Sequence, residues 1–223
     1  MFEKYNTWKN QGKRKRLLRK QGIEAENKGE LSMRVVAFNG SPRPGGNTEK
    51  LIRMVFKELE KEGIDTELVQ LGGHKLRGCR ACYRCVAQKN KRCAFDDDII
   101  NSCIEKMLEA DGIIFGSPTY HADVTAELKA LIDRAGMVSG ANDAMFKRKV
   151  GAAVVAVRRG GAIHVFNTIN IFFTISQMVI PGSSYWNLGI GRNIGEVEQD
   201  EEGIKTMKVL GENMAWVLKK FHG

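Results

Sequence analysis

The 223-residue sequence predicts an α/β fold with a doubly wound, five-stranded parallel sheet and helices on both faces. Three observations lead to this prediction. Short apolar runs alternate along the chain with segments whose apolar residues recur at helical spacing. Two of these runs, Val35–Phe38 and Val150–Val157, are apolar throughout, as strands covered on both faces are. Three of the runs end in loops rich in glycine or polar residues, which cannot continue a strand.

The strands are predicted in order from their apolar content and from the turn residues that bound them. We expect them at Val35–Phe38, Thr66–Leu71, Gly112–Gly116, Val150–Val157 and Met178–Ile180. The second of these partly alternates apolar and polar residues, whereas the fourth is wholly apolar. The fourth is therefore expected at the centre of the sheet.

The helices are predicted from apolar stripes and from their end signals. We expect them at Thr48–Glu62, Asp97–Ala110, Thr125–Ala135, Ala162–Gln177 and Asp200–Phe221. Asn47 and Thr48 are favourable N-cap residues for the first helix, and Gly63 ends it. Cys103 lies on the apolar stripe of the second helix and is expected in the core.

The net charge of +9 is unevenly distributed. Residues 1–32 hold nine Lys and Arg residues against four Glu, which gives +5 and leaves +4 for residues 33–223. We predict that residues 1–32 form a basic arm outside the core. Nucleic-acid binding, membrane-surface binding and docking on a partner subunit are the alternatives for this arm. The charge of residues 33–223 suits an anionic cofactor and does not call for nucleic acid.

The compartment is predicted from cysteine usage and from the apolar runs. Four of the five cysteines are clustered, which disfavours a secreted disulfide framework. The basic N-terminus is not followed by the apolar stretch of a signal peptide. The longest apolar run, Ile169–Ile180, contains four polar residues and is too short to span a membrane. We therefore expect a cytoplasmic location and no membrane association.

The first loop, Asn39–Asn47, has the composition of a phosphate site. It follows a buried strand and precedes a helix, so backbone N–H groups and the helix dipole face the loop. Ser41, Asn47 and Thr48 add hydrogen-bonding side chains, and Arg43 adds a full charge. The alternative is an ordinary connection between a strand and a helix.

Two further loops follow strands and are predicted at the same edge of the sheet. With strand order 2-1-3-4-5, the first and third strands flank the point where the order reverses, and ligands bind there. The second loop, Ser117–His121, includes Pro118 and Thr119 and offers an aromatic face at Tyr120. The third loop, Arg158–Gly161, ends in Gly160 and Gly161.

The first two loops resemble those of the flavodoxin-like NADPH-dependent FMN reductases. GSPRPGGNT resembles the phosphate loop of that family, and GSPTY resembles its second flavin loop. The resemblance implies that Ser41, Arg43, Asn47 and Thr48 hold the FMN phosphate. It implies further cofactor contacts from the second and third loops: Ser117, Pro118, Thr119, Tyr120, Arg158, Gly160 and Gly161.

Two residues of the second loop are candidates for a catalytic role, although FMN would supply the chemistry. Tyr120 would lie against the flavin ring, and the alternative is a tyrosine packed in the core. His121 would relay a proton to the ring, and the alternative is a hydrogen-bonded loop residue.

The cysteine motif, Cys79-x2-Cys82-x2-Cys85-x7-Cys93, has the compactness of an iron–sulfur motif. Ferredoxins hold clusters with similarly short runs. Zinc, disulfides and free thiols are the alternatives. Lys89, Lys91 and Arg92 stand beside the motif, and their charge would favour reduced cluster states.

The place of the motif, between the second strand and the next helix, resembles the iron–sulfur flavoprotein branch of the same family. The resemblance implies FMN-dependent electron transfer from a ferredoxin-like donor or NAD(P)H to an acceptor, with a [4Fe–4S] cluster as an intermediate carrier. A homodimer or homotetramer is expected. The alternatives are a cluster-free NAD(P)H-dependent FMN or quinone reductase and a non-enzymatic flavin module that senses redox state.

Overall fold

The structure, a computed structural model, describes residues 33–222, so the predicted basic arm lies outside the described residues. The strands are β1 (Arg34–Asn39), β2 (Asp65–Gln70), β3 (Gly112–Pro118), β4 (Val150–Val157) and β5 (Leu188–Ile190). The helices are α1 (Asn47–Lys61), α2 (Arg84–Gln88), α3 (Ile100–Glu109), α4 (Ala126–Ala141), α5 (Ala162–Ile175) and α6 (Glu201–His222). A short 3-10 helix, Glu196–Gln199, precedes α6.

All five strands pair in parallel, in the order β2-β1-β3-β4-β5. This confirms the predicted α/β class and strand order. The order reverses between β1 and β3, whose carboxyl ends are joined by a hydrogen bond of 2.8 Å from Gly40 N to Gly116 O. A ligand site is therefore expected at this point.

The sheet separates two apolar layers, because neighbouring residues along each strand point to opposite faces. Val36 and Phe38 of β1 pack with α3, α4 and α5 on one face. Val35 and Ala37 pack with α1 and α6 on the other face. β4 is buried along its whole length, as its apolar sequence predicts, but the centre of the five-stranded sheet is β3 and not β4 as expected.

The predicted fifth strand, Met178–Ile180, is wrong. Val179 makes only an isolated parallel bridge to Val150 at the start of β4. The chain then leaves the sheet at Pro181, which has no N–H to donate to a neighbouring strand. β5 is Leu188–Ile190, which pairs with residues 155–157 near the end of β4.

The helices differ from the predicted ones mainly in two boundaries and in one additional short helix. α4 continues through Gly136 to Ala141, because Val138 and Ser139 beyond the glycine are buried and their packing stabilises the added turn. α2 is a short helix inside the predicted cysteine loop. α3 begins at Ile100, whose N–H donates to Asp98 Oδ1 at 3.1 Å. None of the described helices is long and apolar enough to cross a membrane.

Candidate functional site

A cleft of about 240 Å³ opens at the carboxyl edge of the sheet. Eight of the residues predicted to bind a cofactor line it: Ser41, Arg43, Asn47, Thr48, Pro118, Thr119, Tyr120 and Arg158. They come from three loops that are far apart in sequence and follow β1, β3 and β4. The parallel sheet thus brings the three predicted loops together at its switch point.

The first loop presents hydrogen-bond donors to the cleft. Ser41 Oγ accepts the backbone N–H of Arg43 at 3.2 Å, which leaves the serine hydroxyl hydrogen free to donate. The N-cap residue of α1 is Gly46, which has no side chain to satisfy the N–H groups of the first helical turn. A Cβ at Gly46 would lie 2.8 Å from the carbonyl oxygen of Arg43, so the tight loop requires glycine here.

Glu49 braces the first loop. Its Oε2 accepts the N–H of Gly45 at 2.7 Å, and its Oε1 lies 2.7 Å from a guanidinium nitrogen of Arg53. Burial raises the pKa of Glu49, but these two partners outweigh it and hold the pKa below its ordinary value. The carboxylate therefore stays ionised, and its charge is balanced by Arg53.

The second loop is fixed from behind by Ser117, which does not line the cleft. Ser117 is fully buried, and its Oγ donates to Pro118 O at 2.7 Å and accepts the N–H of Thr125 at 3.2 Å. Thr119 N donates to Ala156 O at 2.9 Å, which fastens the loop to β4. Tyr120 lines the cleft with 46% of its surface exposed.

His121 and two glycines lie outside the cleft lining. His121 is exposed and has a φ of +47°, in a turn closed by backbone hydrogen bonds between Tyr120 and Asp123. Gly161 has a φ of +88°, and a Cβ there would lie 3.0 Å from the Cβ of Ala122. Gly161 thus shapes the contact with the turn at His121, and neither it nor Gly160 reaches the cleft.

A fourth loop, Gly191–Gly195, also lines the cleft, and the sequence analysis did not identify it. Asn47 holds it: Nδ2 donates to Asn193 O at 2.9 Å, and Oδ1 accepts the N–H of Gly195 at 2.8 Å. The cleft is lined from this loop by Gly191, Arg192 and Ile194. Had the fifth strand been predicted at Leu188–Ile190, the loop after it would have been expected at the ligand-binding edge of the sheet.

Three arginines give the cleft a positive lining. The guanidinium groups of Arg43, Arg158 and Arg192 have no hydrogen bond or ion pair to another described residue. Each is therefore available to an anionic ligand.

The four motif cysteines line a second concavity, which we call the cysteine site. Cys79 and Cys82 are exposed, Cys93 is partly buried and Cys85 is 7% exposed. All four are free thiols. Burial raises the pKa of the Cys85 thiol, and the neighbouring Cys79 and Cys82 raise it further.

Four arginines lie near the cysteine site, and two of them, Arg77 and Arg134, are paired with Asp97 and Asp98. The guanidinium carbons of Arg77, Arg80 and Arg84 lie 5.9, 5.0 and 5.6 Å from the centre of the Phe95 ring. The buried Arg134 donates from Nε to Cys93 Sγ at 3.3 Å. These cations would stabilise thiolates and the negative charge of a cluster.

The described residues of the cysteine site do not have the geometry of a site for one metal ion. Among residues 33–222, no three His, Cys, Asp or Glu side chains converge as one metal ion requires. Zinc needs four ligands within about 2.3 Å of one point, whereas a four-iron cluster takes one thiolate at each iron. The four cysteines line one concavity without converging on a single point.

Cys103 is separate from this site. It lies in the core beside Ile104 and Met107, and burial raises the pKa of its thiol to about 12. The structure thus confirms the prediction that Cys103 is a core residue.

Comparison with known proteins establishes the family. Residues 33–193 match the family model described as NADPH-dependent FMN reductase. The chain belongs to this family. An iron–sulfur flavoprotein of Methanocaldococcus jannaschii is 37% identical, over 84% of this chain and 98% of that protein. This similarity confirms the predicted branch of the FMN reductase family.

Two solved structures share the fold of this FMN reductase family member. One is RosB with a bound 8-demethyl-8-formylriboflavin 5'-phosphate, with a TM-score of 0.66, 21% identity, and coverage of 86% of this chain and 81% of that one. The other is a flavodoxin, WrbA-like protein from Agrobacterium tumefaciens, with a TM-score of 0.57, 16% identity, and coverage of 85% and 98%. Both confirm the flavodoxin-like architecture.

Family membership makes the chain a flavin-dependent oxidoreductase with FMN as its cofactor. The alternative of a non-enzymatic flavin module is therefore set aside. The cleft is compatible with FMN, because the N-terminus of α1 has no side-chain cap and a Cβ at Gly46 would clash with the loop. Three guanidinium groups without a partner among the described residues also line it.

Proposed function

We propose that the chain transfers electrons from a reduced donor to an acceptor through FMN, and that Cys79, Cys82, Cys85 and Cys93 hold a [4Fe–4S] cluster that serves the flavin. One observation supports this most: three loops predicted from sequence to bind FMN line one cleft at the switch point of the sheet. The concavity lined by all four cysteines supports the second part.

The first loop would bind the FMN phosphate. Arg43 supplies a guanidinium, Ser41 a hydroxyl donor, and the first turn of α1 its backbone N–H groups. Thr48, only 1% exposed, adds a hydroxyl at the floor of the cleft. Asn47 would act differently from the prediction, because its side chain is already bonded to the fourth loop.

The second loop would hold the flavin ring. Pro118 stiffens the backbone, and Tyr120 offers an exposed aromatic face at the cleft. Ser117, Gly160 and Gly161 would support these contacts from behind. When bound, FMN supplies a ring nitrogen, N5, that accepts a hydride or single electrons.

The charge of the cysteine segment indicates the kind of electron donor. Residues 71–95 hold seven Lys and Arg residues and no Asp or Glu, and Cys79 and Cys82 are exposed among them. An acidic, ferredoxin-like protein would be steered to this surface. NAD(P)H is the other proposed donor, and Arg158 and Arg192 at the rim of the cleft would meet its phosphates.

A homodimer or homotetramer is proposed as well. Ile171 and Ile175 of α5 are 67% and 78% exposed, and Tyr185 and Trp186 are about half exposed. Such apolar side chains favour contact with a further copy of the chain. A cytoplasmic location, consistent with free thiols, stays a prediction.

The test is the cofactor content of the full chain purified without oxygen. We expect one FMN together with about four iron and four sulfide per chain. Cys82→Ser should lose the iron and keep FMN, whereas Cys103→Ser, the matched control in the core, should keep both. Fresh protein with FMN but no iron would contradict the cluster and favour the cluster-free NAD(P)H-dependent reductase. Protein that cannot bind FMN would contradict the whole proposal.

A further inference from the structure

Arg134 of α4 is a buried charge that the FMN cleft does not explain. Its side chain is 1% exposed, and it lies against the cysteine site. Burying a guanidinium is costly unless its donors are satisfied. Here the donors have four acceptors: the Asp98 carboxylate, the carbonyl oxygens of Phe95 (2.7 Å) and Arg77 (3.4 Å), and Cys93 Sγ (3.3 Å).

These acceptors lie on both sides of the cysteine motif. Arg77 precedes Cys79, and Phe95 follows Cys93, so one guanidinium fastens both ends of the segment. Asp98, whose side chain is 4% exposed, pairs with Nη1 and keeps the buried charge compensated. Nε is left to face the sulfur of Cys93.

Cys93 is held at its backbone as well. Asn101 is 2% exposed; its Oδ1 accepts the N–H of Cys93 at 2.8 Å, and its Nδ2 donates to the carbonyl oxygen of Cys93 at 3.0 Å. Cys79 and Cys82, by contrast, are exposed residues. Two buried polar side chains thus fix the position of the last cysteine of the motif.

We propose that Arg134, held by Asp98, is a positioning residue for the cluster ligand Cys93: it fixes the sulfur and stabilises the reduced, more negative state of the cluster. The inference rests on the proposed cluster. A charged donor to a ligand sulfur makes reduction easier, and groups behind metal ligands control how firmly the metal is held. A side chain that only stabilised the loop would satisfy the two carbonyl oxygens without placing a cation on the sulfur.

The test compares Arg134→Gln, Arg134→Lys and the exposed control Lys129→Gln on the same helix. The iron and sulfide content of the wild type is measured first. The cluster midpoint potential is then measured in all proteins by EPR-monitored titration, and the rate of iron loss is measured with a ferrous chelator. We expect Arg134→Gln to lose iron about ten-fold faster or more and to have a more negative potential. Arg134→Lys, which keeps the charge, should restore part of the potential, and Lys129→Gln should match the wild type.

The outcomes separate this inference from the proposed function. A wild type without iron contradicts the proposed cluster and overturns both. A wild type with a full cluster, together with an Arg134→Gln protein of unchanged potential and unchanged iron-loss rate, overturns the role of Arg134 alone. Folding of Arg134→Gln is judged by circular dichroism and FMN retention. If that variant does not fold, the iron-loss rate of Arg134→Lys tests the inference instead. The lysine lacks the contacts of the guanidinium group, so iron loss from Arg134→Lys at the wild-type rate would contradict the inference.

Discussion

At the scale of the residue, the proposed phosphate binding depends most on Arg43. It carries a full positive charge into the cleft and has no ion pair with another described residue. Thr48 is buried at the start of α1 and lines the cleft. Both residues contribute donors that a phosphate needs, and neither is required for the apolar core.

Replacing both residues should therefore release the cofactor. We expect Arg43→Ala with Thr48→Ala to weaken FMN binding by about a hundred-fold, because charge-assisted hydrogen bonds contribute roughly 1.5–3 kcal/mol each. Retention of FMN on gel filtration measures this. Lys57→Ala, an exposed change on the same helix, should keep the flavin. A double variant that retains its full yellow colour would show that the phosphate lies elsewhere.

Cysteine reactivity should follow exposure and pKa. In folded protein freed of iron by a chelator, iodoacetamide should label the exposed Cys79 and Cys82 and leave Cys103 unlabelled. Burial raises the pKa of the Cys103 thiol to about 12, so it has almost no thiolate at neutral pH. Peptide mass spectrometry reads the labelling. Equal labelling of Cys103 in native and urea-unfolded protein would contradict its place in the core.

At the scale of the element, most of the sheet could be predicted from the sequence. β1, β3 and β4 are apolar runs that end in loops rich in glycine or polar residues, and this pattern is typical of buried parallel strands. β5 was missed because three residues, Leu188–Ile190, are too short for a periodic signal. The loop after it was missed for the same reason. The Arg134 network was missed because Arg134 of α4 is far in sequence from its partners, which lie between Arg77 and Asp98 and which only the folded chain brings to it.

The fourth loop depends on Asn47, which supplies both of its side-chain hydrogen bonds to that loop. Asn47→Ala should weaken FMN binding by about ten-fold, since two hydrogen bonds of roughly 0.5–1.5 kcal/mol each hold one wall of the cleft. Proteolytic cleavage within residues 191–195 should also become faster. Asn213→Ala removes one hydrogen bond, to Gly182 O, away from the cleft and serves as the control. Unchanged affinity and unchanged cleavage would contradict the role of Asn47.

At the scale of the whole molecule, charge and sites are arranged together. The basic segment 71–95 contains the exposed cysteines, while the cleft is lined by three arginines that form no ion pair within residues 33–222. Such a distribution provides one surface for an acidic protein and another for phosphate-bearing small molecules. It is consistent with a flavoprotein that receives electrons at one site and holds its flavin at another.

Electron delivery by an acidic donor should therefore depend on salt. Arg80→Glu with Arg84→Glu should slow reduction by a reduced ferredoxin by about ten-fold or more at low ionic strength. The difference from the wild type should shrink at high salt, where exposed charges are screened. Lys57→Glu, distant in sequence from the cysteine segment, is the matched control. A rate of flavin reduction that changes neither with the substitutions nor with salt would contradict docking of the donor at this segment.

The central claim is that FMN in the cleft is served by a cluster at the cysteine site. It is tested most directly by rapid anaerobic mixing of the full chain with a reduced ferredoxin while flavin absorbance is followed, in the wild type and in Cys93→Ser. We predict fast bleaching of the flavin in the wild type and at least about ten-fold slower bleaching in Cys93→Ser, with FMN content equal in the two proteins. Equal rates in the two proteins would contradict the account.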